Sequence, residues 1–270
     1  MAAVDTPPSS SASGPAERGA LLDARGITKR FAGITALHGV DLAVAPGEFV
    51  GLIGPNGAGK TTFFNCLLGI LRPEEGTVHF DGRDVTGLPV YQRARMGFGR
   101  TFQRLELFAG MSVRDHFIVA DRAHRNEGRL WKDLLNRSKP TAEERERADA
   151  MLELLRLGAE ADKPAEMLSL GRGRLVELGR ALMTRPKLLL LDEPSSGLDV
   201  RETAAFAARL AKVQEEHEFA VLLVEHDVDM VQSLVSRLYV LDFGTLIASG
   251  PTDEVFNDEA VRKAYLGSDG

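Results

Sequence analysis

Apolar residues occur in short unbroken runs in two parts of the chain, with amphipathic stretches between them. The runs at residues 49–53, 188–191 and 220–224 have the length and composition of strands that are buried on both faces. The stretch 201–213 has apolar positions at helical spacing. Strands that alternate with helices predict a parallel sheet covered on both faces, which places the chain in the α/β class.

Antiparallel structure is indicated on either side of the first run. Short apolar segments at 27–31 and 40–44 precede it and are separated by turn residues. After it, Asp81-Gly82 lies between residues 78–80 and 83–85, and this dipeptide favours a type I′ turn between paired strands. We therefore expect an antiparallel β subdomain beside the parallel core.

The pattern becomes helical and charged between about residues 110 and 171. Thr141 and Glu144 have the spacing of a capping box, and the apolar positions that follow share one helical face up to Gly158. We expect a helical subdomain here, at approximately residues 104–183.

A glycine-rich segment, hereafter the phosphate loop, lies between the run at 49–53 and a helical pattern at 61–71 that is expected to end near Arg72-Pro73. It has the form Gly-x-x-x-x-Gly-Lys-Thr and consists of Gly54, Pro55, Asn56, Gly57, Ala58, Gly59, Lys60 and Thr61. Its N–H groups are expected to surround phosphates, with Lys60 at the terminal phosphates and the Thr61 hydroxyl on Mg²⁺. Thr62 is counted among the nucleotide-binding residues. The alternative is an ordinary glycine-rich turn, which the flanking strand and helix disfavour.

Two carboxylates follow the apolar run at 188–191. Asp192 is placed to hold Mg²⁺, directly or through water, because ligand sites of α/β sheets lie at the carboxyl ends of strands. Glu193 is placed to orient or deprotonate a water molecule that attacks a γ-phosphate. An acidic turn at a strand end is the alternative, and the phosphate loop upstream argues against it.

Composition narrows the class of protein. The chain has 270 residues, of which 44% are hydrophobic, and its formal net charge of −6 argues against a general nucleic-acid binder. A single cysteine, Cys66, excludes an internal disulfide and suits a reducing compartment. Apolar runs stay far below the roughly 18 residues of a membrane span, so we expect neither export nor membrane insertion. We expect a disordered tail at 1–19 and a single domain at 20–270.

Several short motifs occur in an order that is typical of a known family. In chain order they are the phosphate loop, Gln103 within Arg100-Thr101-Phe102-Gln103, Leu168-Ser169-Leu170-Gly171, Asp192-Glu193-Pro194, Ser196-Gly197-Leu198-Asp199 and Glu225-His226-Asp227. This series resembles the ATP-binding subunits of ABC transporters over roughly residues 22–266. The resemblance implies a P-loop NTPase core of RecA-like type with a mixed sheet, an antiparallel β subdomain and a helical subdomain. It also implies an ATPase that uses ATP and Mg²⁺.

The resemblance assigns roles to three further residues that would act within one chain. Phe31 is similar to the aromatic residue that stacks on adenine, with a core strand position as the alternative. Gln103 is similar to the residue that links Mg²⁺ and the attacking water to the helical subdomain, with a surface amide as the alternative. His226 is similar to the residue that senses the γ-phosphate and holds Glu193, although a lone histidine is more often structural.

Other residues would act between two chains. Ser169 and Gly171 lie at a predicted helix N-terminus, where N–H groups and the helix dipole favour a phosphate. The resemblance implies that this helix faces the nucleotide of a second subunit, so that each ATP is bound by the phosphate loop of one chain and by Ser169 and Gly171 of the other. Asp199 is similar to the residue that communicates across this dimer.

The segment from Leu168 departs from the family pattern, which reads Leu-Ser-Gly-Gly-Gln. Leu170 replaces a glycine, at little cost if its φ is negative. Arg172 replaces a glutamine and is expected to point either toward ATP or to solvent. Gly173 is expected to weaken the start of the helix by up to about 1 kcal/mol relative to alanine.

The run 100–103, Leu107-Phe108 and the ending 264–267 resemble the branch that serves branched-chain amino acid uptake, with the lipopolysaccharide-export ATPase as a close relation. The resemblance implies a second ATP-binding chain, alike or related, two permease subunits in the membrane, and an extracytoplasmic solute-binding protein. The chain would then lie peripherally at the cytoplasmic face of the membrane. We hypothesise that residues 128–137, which include Trp131, lie near the membrane or the permease. A small helix on the helical subdomain is the alternative.

Other classes of function explain fewer of these residues. A soluble ABC ATPase that acts on ribosomes or DNA would resemble tandem cassettes or heads with long coiled coils, and this chain has neither. A nucleoside or small-molecule kinase explains the phosphate loop but not Ser169, Gly171 or His226.

Overall fold

The computed structural model describes residues 19–101, 105–125 and 139–263. In chain order the strands are β1 (Leu22–Phe31), β2 (Ile34–Val44), β3 (Phe49–Ile53), β4 (Glu75–Phe80), β5 (Arg83–Asp84), β6 (Phe98–Arg100), β7 (Leu188–Asp192), β8 (Ala220–Val224), β9 (Arg237–Asp242) and β10 (Thr245–Pro251). The helices are α1 (Lys60–Leu68), α2 (Val90–Met96), α3 (Val113–Arg125), α4 (Ala142–Leu154), α5 (Leu170–Met183), α6 (Val200–His217), α7 (Val228–Leu234), α8 (Thr252–Asn257) and α9 (Glu259–Val261). Short 3₁₀ turns lie at Gly158–Glu160 and Ala165–Met167.

The core is a mixed sheet with the strand order β10-β9-β3-β8-β7-β6 over the described residues. Strands β6, β7, β8, β3 and β9 run parallel, and β10 pairs antiparallel with β9. Leu52 of β3 lies opposite Val224 of β8, which in turn lies opposite Asp192 of β7. The carboxyl ends of these strands therefore share one edge of the sheet, where α/β folds bind ligands.

The second sheet is antiparallel and has the order β2-β1-β4-β5 in the part of the chain that is described. Its β4-β5 turn contains Asp81 with φ 51° and Gly82 with φ 73°, the left-handed pair that a type I′ turn requires. The predictions of a mixed core sheet and of an antiparallel β subdomain are confirmed.

Both faces of the core sheet are covered. Leu189 and Leu191 of β7 pack into a cluster with helices α3, α4, α5 and α6. Leu188 and Leu190 pack into a second cluster with α1 and the antiparallel sheet. Side chains alternate between the faces of a strand, so a strand that is apolar at every position serves two cores. This explains why the run at 188–191 is unbroken.

Several predicted element ends are corrected by backbone conformation. Helix α1 ends at Leu68 rather than near Arg72-Pro73, because Gly69 takes φ 76° and its N–H bonds back to Asn65 and Cys66. Helix α4 starts at the predicted capping box but ends at Leu154, and Gly158 begins a separate 3₁₀ turn. Periodicity does not determine where a chain leaves helical φ and ψ.

Helix α3 packs against both α4 and α5, which together form the helical region on one face of the core. The proposed subdomain limits, 104–183, remain a prediction. The expected tail before Gly19, Gln103, the segment 128–137 and the ending 264–267 lie outside the described residues. Among the helices that are described, none has the length and apolar character that a membrane crossing requires.

Candidate nucleotide site

The phosphate loop joins β3 to α1 and has a backbone that only glycine adopts readily. A Cβ on Gly54 would lie 2.0 Å from the carbonyl oxygen of Leu241, so a neighbouring strand excludes a side chain there. Gly57 takes φ 83°, and a Cβ added to it would meet no atom within 4 Å. The loop is thus closely packed at Gly54 and open at Gly57, where its left-handed backbone favours glycine.

Exposure varies along the loop. Asn56, Gly57 and Thr61 are exposed, Pro55, Gly59 and Thr62 are half-buried, and Gly54, Ala58 and Lys60 are buried. The Lys60 ammonium donates to the carbonyl oxygens of Gly54 at 2.7 Å and of Pro55 at 3.0 Å. Burial lowers the pKa of Lys60, and the nearby charges of Glu193 and Asp192 oppose that shift. The loop therefore carries a cation that is held against its own backbone.

Asp192 ends β7 and is buried. Burial raises the pKa of this carboxyl group, and the Arg100 guanidinium, 3.7 Å away at the end of β6, opposes the shift. With the Thr61 hydroxyl, Asp192 supplies the oxygen donors that Mg²⁺ prefers. Among the described residues there is no group of three or more His, Cys, Asp or Glu side chains that could hold a metal. This donor set fits a Mg²⁺ ion that takes its remaining ligands from phosphate and water.

Glu193 and His226 come from neighbouring strand ends and meet. Their Oε1 and Nε2 atoms are 2.9 Å apart. Glu193 has φ 48°, an uncommon conformation for a residue other than glycine, and its N–H donates to the Val224 carbonyl at 2.9 Å. The strained backbone is thus fixed to the strand that leads into His226. A carboxylate paired with an imidazole at this edge is suited to proton transfer or to orienting water.

Glu225 supports this pair and was not among the predicted site residues. It is 2% exposed, and its carboxylate accepts from the N–H of His226 at 2.9 Å and of Ser195 at 2.7 Å. These bonds join the turn after β8 to the turn after β7. Its position directly before His226, at the end of an apolar strand, was the available signal. Arg100 was missed as a partner of Asp192 because their contact joins distant parts of the chain.

Ser169, Gly171 and Asp199 form a second group, which we call the helix group. Ser169 caps α5 by accepting from the N–H of Arg172, and Asp199 caps α6 by accepting from the N–H of Glu202 at 2.8 Å. The two helix starts adjoin, since a Cβ on Gly171 would lie 2.9 Å from Glu202 Oε1. Ser169 and Asp199 are exposed. By contrast, the loop group (phosphate loop, Asp192, Glu193 and His226) lies at the strand ends.

Phe31 is at the end of β1 and is 43% exposed, with the Lys29 ammonium 5.3 Å from the centre of its ring. The alternative of a core strand position is therefore wrong for this residue. An exposed aromatic ring is available for stacking.

The departures at the start of α5 have local explanations. Leu170 is the first residue of the helix and does not have a positive φ, so it replaces a glycine without backbone strain. Arg172 donates to the Arg156 carbonyl oxygen at 2.8 Å in an exposed hydrogen bond. A Cβ on Gly173 would lie 2.7 Å from Leu105 Cδ2. Gly173 thus makes room for a packed leucine, which its helix propensity does not reveal.

The fold and the loop group define the chain as a P-loop nucleotide-binding cassette. A family profile described as ABC transporter matches residues 37–196, more than half of the chain. A second profile, described as branched-chain amino acid ATP-binding cassette transporter, matches residues 245–270. The chain therefore belongs to the ABC transporter family.

Individual relatives agree with this assignment over nearly the whole chain. The chain is 40% identical to the high-affinity branched-chain amino acid transport ATP-binding protein BraF of Pseudomonas aeruginosa, covering 92% of this chain and 98% of that protein. It is 39% identical to LivG of Escherichia coli, of the same description, with 92% and 98% covered. The lipopolysaccharide export system ATP-binding protein LptB of Acidithiobacillus ferridurans is 35% identical, with 92% and 97% covered.

Solved structures resemble the whole fold. The chain matches the ADP conformation of an ATP-binding cassette of an ABC transporter with a TM-score of 0.81 and 31% identity, covering 92% of this chain and 99% of that one. A nucleotide-free cassette matches with a TM-score of 0.80 and 30% identity, with 92% and 100% covered. The predicted resemblance to ATPase subunits of the branched-chain amino acid type is confirmed.

Proposed function

We propose that this chain binds ATP with Mg²⁺ and hydrolyses it to drive an ABC transporter. The observation that carries the proposal is the 2.9 Å pair of Glu193 and His226, which lies at the same sheet edge as Asp192 and the phosphate loop. A kinase would need the loop but has no use for this pair. A paired carboxylate and imidazole at the γ-phosphate end of the loop suit attack by water.

The chain's own residues divide the work of hydrolysis. The N–H groups of the phosphate loop and the Lys60 ammonium bind the phosphates, and Phe31 stacks on the adenine. Glu193 orients the attacking water and accepts its proton, while His226 keeps the carboxylate in place and contacts the γ-phosphate. Thr61 and Asp192 would hold Mg²⁺, which when bound offsets the charge of the phosphates. Gln103 is proposed to connect this site to the helical region.

A second ATP-binding chain, alike or related, completes the site. In one chain Ser169 and Asp199 are exposed helix caps, and the described contacts of the helix group are with α5 and α6. Exposed N–H groups at the start of α5 favour a phosphate. We propose that they bind the nucleotide held by the partner's phosphate loop.

The permease is proposed to dock in a groove of about 840 Å³ between α2 and β6 on one side and α3 and α5 on the other. Apolar and cationic side chains line it, including Tyr91, Arg95, Phe108, Val119 and Arg180. A docked permease would hold the chain at the cytoplasmic face of the membrane. The segment 128–137 remains a proposed further contact with the membrane or the permease.

The transported solute is proposed to be a branched-chain or other hydrophobic amino acid, delivered by an extracytoplasmic solute-binding protein. Support comes from the descriptions of BraF and LivG and from the profile that matches residues 245–270. Uptake of labelled leucine, isoleucine and valine should fall on loss of this subunit and return with the intact chain. Normal uptake together with defective lipopolysaccharide export would contradict this assignment.

Glu193→Gln tests hydrolysis directly. The amide keeps the shape of the side chain but accepts no proton, so kcat for ATP should fall about a thousandfold while ATP still binds. Glu146→Gln, on an exposed residue of α4, is the matched control and should leave both unchanged. Phosphate release and nucleotide binding are the measurements. Wild-type turnover in Glu193→Gln would remove Glu193 from the proposed role.

A further inference from the structure

A second cavity, separate from the proposed permease groove, lies where three helices end. The last residues of α4, α5 and α6 are Leu154, Met183 and His217, and all three line this cavity, whose volume is about 690 Å³. Among the described residues it shares no lining residue with the groove, the loop group or the helix group. We call it the helix-end cavity. Its volume lies in the range of about 300–1,000 Å³ that is typical of small-molecule sites.

The inner wall of the helix-end cavity is apolar. Leu182, Met183 and Phe219 are buried there, and Met151 and Leu154 of α4 are half-buried. Met151 and Leu154 lie three positions apart on one helix, so their side chains are neighbours on the same face. Both still present apolar surface to the cavity. A ligand that covers them with an apolar group removes this surface from water and gains binding free energy.

The rim of the cavity carries both donors and acceptors of hydrogen bonds. Arg185 and His217 are exposed, and within the described part of the chain neither side chain has a hydrogen bond or an ion pair. The acceptors are the Glu216 carboxylate and the last carbonyl groups of α5 and α6, since the last carbonyl groups of a helix have no partner within it. The rim is thus suited to accept from an ammonium group and to donate to a carboxylate.

Arg185 is held in an uncommon backbone conformation at the edge of the cavity. Its φ is 49°, it precedes Pro186, and its N–H donates to the Leu182 carbonyl oxygen at 2.8 Å. The left-handed region is unfavourable for a residue with a side chain, and a following proline restricts the backbone further. Strained positions of this kind are concentrated at ligand sites, where the surrounding structure fixes them. The strain therefore marks this turn as a candidate ligand site.

The cavity lies between the helical region and the core. Helix α4 of the helical region forms one wall, and the end of α6 with Phe219, which precedes β8, forms another. One bond already joins these walls, since Arg209 of α6 donates to the Leu154 carbonyl oxygen at 3.2 Å. Arg185 belongs to the connection from α5 to β7, the strand that ends at Asp192. A ligand in the cavity would contact both walls and this connection.

We propose that the helix-end cavity binds a free amino acid with an apolar side chain, and that the bound amino acid slows ATP hydrolysis. The carboxylate of the ligand pairs with Arg185 and His217. Its ammonium group donates to Glu216 and to the helix-end carbonyl oxygens, and its side chain covers Met151 and Leu154. The cavity has room for leucine, isoleucine, valine or phenylalanine, so we expect all four to bind.

The effect on hydrolysis rests on the proposed function, whereas the binding does not. The solute proposed for the transporter belongs to the same chemical class, so the imported product would reduce the turnover that imports it. A ligand that contacts α4, α6 and the connection to β7 favours one arrangement of the helical region and the core. Any other arrangement that hydrolysis requires then becomes less populated.

Isothermal titration of the full-length chain without nucleotide tests the binding. Leucine should bind at one site with a Kd of about 0.1 mM. 4-Methylpentanoate lacks the ammonium group and 3-methylbutylamine lacks the carboxylate, so each should bind at least about tenfold more weakly. Serine lacks the apolar side chain and should show no saturable binding. Absence of saturable leucine binding, or binding of either analogue as tight as that of leucine, would overturn the inference.

Substitutions of Arg185 separate a ligand site from a role in folding. Arg185→Gln removes the guanidinium group, so the Kd for leucine should rise about tenfold, whereas 3-methylbutylamine should bind unchanged. Arg185→Lys keeps a cation and should stay within about threefold of wild type. Arg145→Gln, on an exposed residue of α4 outside the cavity, is the matched control. If Arg185→Gln fails to fold, Arg185→Gly, which relieves the positive φ, takes its place.

A purely structural role of Arg185 gives a different result. A cation at the end of α5 that only complements the helix dipole would make Arg185→Gln melt at a lower temperature and leave the Kd for leucine unchanged. That result would overturn the inference.

Steady-state hydrolysis tests the effect of the bound amino acid. Saturating leucine should lower kcat for ATP about threefold in wild type and in Arg145→Gln. It should not do so in Arg185→Gln, whose activity without leucine should equal that of wild type. Unchanged kcat in wild type with leucine bound would overturn the proposed regulation. A wild-type chain that hydrolyses no ATP would instead refute the proposed function and leave the titrations as a separate test.

Discussion

The loop group and the helix group differ in what holds their side chains. Lys60, Asp192 and the Glu193–His226 pair lie at the ends of buried parallel strands, where backbone and side-chain bonds of the same chain fix them. Ser169 and Asp199 are exposed caps of adjoining helices. The side chains of the loop group are thus fixed within one chain, whereas the helix group presents two exposed helix starts. The difference supports the proposal that the helix group acts on a nucleotide held by a second chain.

The largest effect is expected from Lys60→Ala, which removes the cation of the loop group. Loss of charge-assisted hydrogen bonds to phosphate should weaken ATP binding by about 2 to 3 kcal/mol, or roughly a hundredfold in Kd. Fluorescent-nucleotide titration measures the change. Lys163→Ala, on an exposed lysine near the second 3₁₀ turn, is the control. An unchanged Kd in Lys60→Ala would refute preorganisation of the loop group around phosphate.

A smaller effect is expected at Glu225, whose carboxylate accepts hydrogen bonds from the turns after β7 and β8. Glu225→Ala leaves the N–H groups of Ser195 and His226 without their acceptor, so the free energy of unfolding should fall by about 2 kcal/mol. Glu225→Gln keeps one acceptor oxygen and should lose less. Urea denaturation measures both variants. Equal stability of the alanine variant and wild type would mean that the turns after β7 and β8 are held by other contacts.

The smallest effect concerns the helical region that carries the helix group. Hydrogen bonds from the buried Arg122 guanidinium lower the pKa of Glu144 from its ordinary 4.5 to about 2. A lowered folded-state pKa contributes stability above pH 4.5, and this contribution is lost as pH falls toward 2. The difference in free energy of unfolding between wild type and Glu144→Gln should therefore be about 1.4 kcal/mol smaller at one pH unit below the ordinary pKa of this group than it is at neutral pH.

Urea denaturation of both proteins from pH 7 downward follows that difference, and groups common to the two proteins cancel. A difference in free energy of unfolding that does not change with pH would show that Arg122 does not lower the pKa of Glu144. It would also remove the evidence that the helical region is stabilised by its own buried ion pair.

Local patterns were sufficient for much of the fold. The apolar runs located β3, β7 and β8, and the phosphate loop was readable because its glycines and Lys60 are consecutive. Strand order was not readable, since the position of β3 between β8 and β9 depends on contacts between distant segments. The end of α1 depended on the φ of Gly69, which composition leaves open.

The site residues also divide into those that a local motif predicts and those whose role depends on contacts between distant segments. Glu193 and His226 were predicted from motifs whose order resembles a known family, and the structure brings their side chains together. Arg100 and Glu225 lie within quoted motifs, but neither motif predicted a role for them. Their roles come from contacts between distant segments, as between Arg100 and Asp192 and between Glu225 and Ser195. Gln103 and residues 128–137 stay predictions.

The central claim is that the loop group and the helix group meet only between two chains. Sedimentation of Glu193→Gln tests it, because ATP that is bound and not hydrolysed should hold two copies together. Saturating ATP with Mg²⁺ should convert this variant to a species of twice the mass of one chain. Adding Ser169→Arg should abolish that species while leaving nucleotide binding unchanged. A Glu193→Gln chain that stays monomeric with ATP bound would contradict pairing between two copies of this chain, and a Ser169→Arg chain that no longer binds ATP would contradict the division of the site into two groups.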